Sequence, residues 1–193
     1  MTSVAVSSTD RILMKALELF SSKGYEATSV REICEAAGIT KPTLYHFYGS
    51  KEGVYRALVD GTFEQFRKDL SRLLEAPGTA EERLRRVARS YFEYAGARRE
   101  VMRFVLSLVH NTSTAAPRTD FPKLYEEIVS IVARCVEEGV TAGELKEGPR
   151  EVRMLVLMGA LGECVCGSII AGKPSLTPDL ADSVVDSIIR GWK

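Results

Sequence analysis

TSVREICEAAGITKPTLYHFYGSKE, residues 28–52, reads as two short helices joined by a tight turn and followed at once by the start of a third. Val30, Ile33 and Cys34 give the first helix an apolar side, and Ala36-Ala37-Gly38 ends it where the turn must pass close to its neighbour. Ile39 or Thr40 opens the second helix, with Pro42 in its first turn, where a missing N–H costs little. Leu44 and Phe47, three apart, are expected to face inward, leaving Lys41, Thr43, Tyr45 and His46 outside. Gly49-Ser50 breaks the run, and Ser50 can cap a longer helix that begins at Lys51. Two helices crossing steeply around a glycine-containing turn make a helix-turn-helix, whose second helix can enter the DNA major groove; many small helical bundles contain a similar corner.

The ordered set Gly24-Tyr25, Thr28-Ser29-Val30, Ile33, Ala36-Ala37-Gly38 and Pro42 through Glu52 resembles the DNA-binding domain of the TetR family of bacterial transcriptional regulators. The resemblance covers about residues 10–56; beyond it the chain is similar to the family in length and helical layout, with far weaker sequence likeness. It implies that the helix around Thr40–Phe47 is the recognition helix and that Thr40, Lys41, Thr43, Tyr45 and His46 meet DNA. In such a helix Lys41 suits a guanine edge or a phosphate, Thr43 a thymine methyl or a base, and Tyr45 the sugar-phosphate backbone. The resemblance also places a phosphate-contacting hydroxyl at Thr28, while Ser29 with Glu32 has capping-box spacing. Lys51 sets a cation at the positive end of a helix dipole, an arrangement that makes sense if a phosphate sits there. Phe47 stands where the family often has histidine or tyrosine, and it cannot donate a hydrogen bond; Tyr48 stands where phenylalanine is usual.

Upstream, Ser8 or Thr9 to Lys23 forms an amphipathic helix with Ile12, Leu13, Ala16, Leu17 and Phe20 as its stripe, stopped by Gly24. Arg11 and Lys15 either reach phosphate or mark its wet face. The first ten residues read as a loose polar arm without the basic region and apolar core of a secretory signal.

The whole chain has 193 residues, 45% of them hydrophobic, enough for a full core with a small appendage. It carries 26 basic and 26 acidic side chains, and residues 1–52 hold six of each. A general basic field is therefore absent, and any DNA contact depends on a few placed donors doubled by a partner subunit. No apolar run is long and uninterrupted enough to span a bilayer, so no membrane partner and a cytoplasmic protein are expected. Cys34, Cys135, Cys164 and Cys166 contain no C-x-x-C pair, and neither a metal site nor a cofactor is expected. No glycine-rich phosphate loop or metal-spaced His/Glu set points to catalysis.

The reading beyond Glu52 is of one long helix to about Glu75, ended by Ala76-Pro77-Gly78-Thr79, then helices near 80–95, 98–110, 123–140, 150–171 and 178–191. The expected fold is all-α, about nine helices, with an N-terminal three-helix head over 1–52 and a larger helical effector-binding and dimerisation body over 53–193. Arg83, Arg85, Arg86 and Arg89 lie among Glu81, Glu82 and Glu93, which favours a solvated face over a DNA patch. Asn111 to Pro122, polar and proline-bearing, either rims an effector entrance or turns the chain. The helix near 150–171 is apolar or small on more than one face and must be covered by its own core and by something else. With the last helix it resembles the family's usual four-helix dimer contact, which implies dimer roles for Leu155, Gly159, Leu161, Gly162, Cys166, Val184, Val185 and Ile188. Met102, Phe104, Leu108, Tyr125 and Met158 are candidate walls of an effector cavity, with His110 as a polar anchor, each also readable as ordinary core.

The expected function is a homodimeric repressor that binds double-stranded operator DNA and is released by a small, largely apolar effector. The alternative is a helical homodimeric interaction protein that binds no DNA.

Overall fold

Ser7, Ser29, Thr40, Thr79 and Thr177 each turn a hydroxyl onto a free N–H at the start of a helix, and these caps divide the chain as its polar punctuation suggests. The computed structural model describes residues 7–110, 116–117 and 119–193. The N-terminal arm through residue 6, residues 111–115 and 118 of the polar connection, and the side chain of His110 lie outside them. Among the described residues the chain forms nine α-helices and no strand. They are α1 (Ser8–Lys23), α2 (Val30–Ala37), α3 (Lys41–Tyr48), α4 (Lys51–Glu75), α5 (Ala80–Ala97), α6 (Arg99–His110), α7 (Phe121–Thr141), α8 (Arg150–Ala171) and α9 (Pro178–Ile189).

The helices fall into two compact units, which divide α4 between Glu64 and Gln65 and α6 between Met102 and Arg103. The head unit therefore extends past residue 52, and it takes in Arg103–His110 of α6 as well. Its core joins Ile12, Ala16 and Phe20 of α1 to Ile33, Cys34 and Ala37 of α2, Leu44 of α3, and Val54, Leu58 and Val59 of α4. Burying one such aliphatic side chain stabilises the fold by about 1.5–3 kcal/mol, so the short α2 and α3 owe their helicity mainly to this packing. Aromatic edges complete the core: Tyr55 meets Phe20 at 5.4 Å, Tyr25 at 5.1 Å and Phe104 of α6 at 5.4 Å between ring centroids.

In the body unit α5 is the central helix, packed on α7, α8 and α9. Its arginines have partners within the chain. Arg85 and Arg89 pair with Asp186 and Asp182 of α9, and Arg83 with Glu138 of α7. One side of α8 is sealed by Met154, Leu157, Leu161, Val165 and Ile169. Its other side leaves Leu155 73% and Ile170 71% exposed, with Val152 and Val156 also outside. In length and composition α8 is apolar enough to cross a bilayer, against the sequence expectation; its most apolar 18-residue window has a mean hydropathy of 2.0 and is 33% buried. The same helix carries the buried Arg153, whose guanidinium donates to the Lys146 carbonyl and lies 5.0 Å from the Trp192 ring.

Candidate nucleic-acid interface

The turn between α2 and α3 is set locally. Ser29 and Glu32 exchange the two hydrogen bonds of a capping box at the start of α2, and Gly38 closes it with φ 63° and ψ 42°, a left-handed conformation that glycine adopts without strain. Thr40 caps α3 through the Thr43 N–H, and its hydroxyl also meets the Thr43 hydroxyl at 2.9 Å. Ser50 caps α4 by accepting from the Gly53 N–H at 3.0 Å. At Gly53 a side chain has no room, because a Cβ there would stand 1.8 Å from the Tyr48 carbonyl oxygen. That close approach fixes α3 against the first turn of α4.

Leu44, fully buried, and Tyr48, four residues on and half-buried, are the inner pair of α3. The Tyr48 hydroxyl donates to the Thr9 carbonyl of α1 at 3.3 Å, and burial raises its pKa. With that pair inside, Thr40, Lys41, Tyr45 and His46 are exposed and Thr43 is half-buried beside them. Five of the seven expected DNA-facing residues thus share one short helix and its cap.

The other two have different environments from those expected. Thr28 is 1% exposed, and its hydroxyl donates to the Gly24 carbonyl at 2.8 Å, so its side chain is closed off from a phosphate. Lys51 does not leave its charge at the α4 dipole. Its ammonium reaches back to the α1–α2 connection, donating to the Tyr25 and Thr28 carbonyls at 2.8 Å each, and lies 4.0 Å from the Tyr25 ring centroid. Burial lowers its pKa from the ordinary lysine value, partly opposed by Glu26. Two backbone carbonyls are thus the partners of the ammonium in the free protein. The neighbouring Lys23–Glu32 ion pair, with the Ser29 hydrogen bonds, holds the Glu32 carboxyl down at about 2. Lys15 pairs with Glu18 on the surface of α1, the arrangement expected of a wet face.

Phe47 does not face inward as its spacing from Leu44 suggests. It is 47% exposed, with its ring edge-on to His46 at 5.1 Å between centroids. Positions 47 and 48 are three and four past Leu44, so both neighbour it along the helix, and spacing alone does not choose between them.

The expected effector residues are distributed across both units. Phe104 is buried in the head unit, where it lines a cavity of 460 Å³ with Phe20, Tyr25, Tyr55, Ser107 and the Lys23–Ala27 stretch. Leu108 of the same unit is half-buried. In the body unit Met102 is buried, Met158 half-buried, and Tyr125 43% exposed with its ring stacked on Phe121. Tyr91, whose ring edge meets Phe66 at 5.9 Å, is deep enough for burial to push its hydroxyl up to about 12.

Of the expected dimer residues, Leu155 and Gly159 are exposed, and Gly162, Cys166, Val184 and Ile188 are half-buried. Side chains added at Gly159 and Gly162 would meet nothing within 4 Å. Leu161 and Val185, at 6% and 0% exposed, belong to the protomer's own core, which corrects their assignment to a partner-facing surface.

Comparison with known proteins places the head and body in one setting. Residues 12–58 match the family described as bacterial regulatory proteins, tetR family, and residues 77–165 match the tetracyclin repressor-like C-terminal domain. The fatty acid metabolism regulator protein of Bacillus subtilis (strain 168) is 24% identical over 183 residues, covering 94% of this chain and 93% of its own. Solved structures share the fold, two FadR proteins among them. The fatty acid degradation regulator FadR from Bacillus halodurans, 19% identical, aligns with a TM-score of 0.80 over 95% of this chain and 99% of its own. The transcriptional regulator FadR from Bacillus subtilis in complex with stearoyl-CoA, 22% identical, aligns at 0.77 over 95% and 98%.

Proposed function

The chain belongs to the TetR family of bacterial regulatory proteins, and we propose that it is a homodimeric repressor released from a near-palindromic operator by an acyl-chain effector. Membership makes it a DNA-binding, ligand-responsive regulator and not an enzyme. The observation that carries the DNA half of the proposal is the outer surface of α3, where Lys41, Tyr45 and His46 stand exposed on a helix anchored from behind by Leu44 and Tyr48. A donor, an amphipathic ring and an imidazole suit base edges and backbone in a major groove. Two copies of α3 related by a two-fold axis would enter successive grooves, about 34–36 Å apart on straight B-DNA.

The open face of α8 supports a partner of identical sequence. Leu155, Val156, Val152 and Ile170 present apolar area that a monomer would leave in water, and Gly159 beside them leaves room for a neighbouring helix. The full-length similarity to a fatty acid metabolism regulator, and the likeness to a FadR solved in complex with stearoyl-CoA, support a long acyl chain, free or as its coenzyme A thioester, as the effector class. Such an effector need only bind the state that does not hold the operator more tightly than the state that does.

The test is fluorescence anisotropy of delipidated protein against duplexes tiled across the DNA flanking its own gene, with palmitoyl-coenzyme A or coenzyme A alone added to any complex. Saturable binding to one near-palindromic tile, released by the thioester and not by coenzyme A, is the expected result. Equal, weak binding to every tile and to random duplex would overturn the repressor assignment for this locus. Binding unaffected by the thioester, and by free palmitate in the same assay, would overturn the acyl effector.

A further inference from the structure

We infer that Phe47 is a base-reading residue of the recognition helix, placed to take the C5-methyl group of a thymine in the major groove. The inference rests on the DNA-binding role proposed for α3. Phe47 is 47% exposed on an eight-residue helix whose inner positions are filled by Leu44 and Tyr48. About half of its surface is left in water, at an energetic cost that DNA contact would remove. The ring lies steeply inclined to the His46 imidazole, 5.1 Å away between centroids, and 6.5 Å from its neighbour Tyr48.

Spacing gives the ring its companions. Thr40, Thr43 and Phe47 stand three and four residues apart, so they form one strip along α3, distinct from the side that carries Tyr45. The Thr40 and Thr43 hydroxyls are hydrogen-bonded to each other at 2.9 Å, and Thr40 also caps the helix. The strip thus offers a methyl-bearing threonine and a phenyl ring with no strong donor beyond the two engaged hydroxyls. Among the groups on a major-groove base edge, the thymine methyl is the apolar one, and phenylalanine is among the side chains that contact it. A ring without donor or acceptor gains nothing from a guanine or adenine edge. The chemistry of this strip therefore selects an A·T pair oriented with its thymine toward Phe47, once in each half-site of a symmetric operator.

Losing one buried methyl contact corresponds to about a fourfold change in affinity. The experiment selects duplexes from a random pool with the wild-type chain and with Phe47→Ala, then measures binding to the best wild-type duplex with deoxyuridine replacing thymine one symmetric pair at a time. Because Phe47 is exposed, the variant keeps its fold, which a thermal melt by circular dichroism checks. The expected result is one symmetric pair of thymines whose replacement weakens the wild type about fourfold per half-site and leaves Phe47→Ala unchanged, with that position alone relaxed in the variant's selected pool. If deoxyuridine at every position affects both proteins equally while both still select a common sequence, Phe47 does not read thymine although α3 binds DNA. If neither protein enriches any sequence, the DNA-reading role of α3 fails, and the inference with it.

Discussion

Replacing Lys51 with methionine separates two roles that the sequence could not tell apart. The substitution keeps an apolar stem of similar length and removes the ammonium that donates to the Tyr25 and Thr28 carbonyls at 2.8 Å each. A hydrogen bond to a charged group contributes about 1.5–3 kcal/mol net when well buried. Lys51 is only half-buried, and water can reach the abandoned carbonyls in part, so the two bonds together are worth about 2–3 kcal/mol rather than twice the single-bond figure. For a chain of this size such a loss lowers the melting temperature by about 4–12 °C. The assay pairs a circular-dichroism melt with salt-dependent anisotropy on operator duplex, recorded well below both melting transitions. Lys51→Met is expected to melt early, while its plot of log affinity against log salt keeps the wild-type slope. A variant that melts with the wild type but loses about one phosphate's worth of slope per protomer would place the ammonium on DNA and refute the carbonyl clamp.

Gly53→Ala, ordinarily favourable inside a helix by about 0.5–1 kcal/mol, should instead destabilise the head by about 3 kcal/mol or more, because its Cβ would lie 1.8 Å from the Tyr48 carbonyl oxygen; a urea midpoint equal to the wild type's would show that α3 shifts at little cost. Leu155→Arg, at a position 73% exposed, should leave a folded protein that sediments as a monomer, whereas Leu161→Arg, at 6% exposed, should fail to fold. A folded Leu155→Arg dimer would move the interface off this face of α8. Glu32 titrates at about 2 in the folded head against an ordinary 4.5, chiefly through its hydrogen bond to Lys23 and then through Ser29. A carboxyl lowered in this way contributes its full stability above 4.5 and loses it as pH falls toward 2. The melting-temperature gap between wild type and Glu32→Gln should therefore be constant near neutrality and close across that acid window; a gap independent of pH would remove the ion pair from the head's stability.

The parts of the fold legible in the sequence were those set within a few residues. Ser29 with Glu32, Gly38, Pro42 and the Ser50 cap each act over one helical turn, and each lies in the structure where its chemistry suggests. Lys51 was read through the helix it begins, yet its partners lie 26 and 23 residues upstream, a separation that spacing cannot reveal. Thr28 was legible as a hydroxyl near a helix start but not as one turned inward onto Gly24. Phe47 shows the limit of a short helix, in which two turns do not determine which of two adjacent aromatics faces the core. On α8 the ambiguity was of another kind. A helix apolar on several sides does not declare which side its own protomer takes, and Leu161 and Val185 fell on the inner one. The grouping of Arg103–His110 with α1–α3 and the start of α4 is a long-range contact pattern with no local signature.

The most direct test of α3 as the DNA-reading element is photocrosslinking to operator duplex carrying 5-iododeoxyuridine at each thymine in turn, followed by trypsin digestion and mass spectrometry. Trypsin spares the Lys41–Pro42 bond, so residues 32–51 leave as one peptide containing the whole of α3. Crosslinks concentrated in that peptide, at Tyr45, His46 or Phe47, are the expected result. Crosslinks concentrated instead on the arginine-rich α5, with residues 32–51 unmodified, would contradict it.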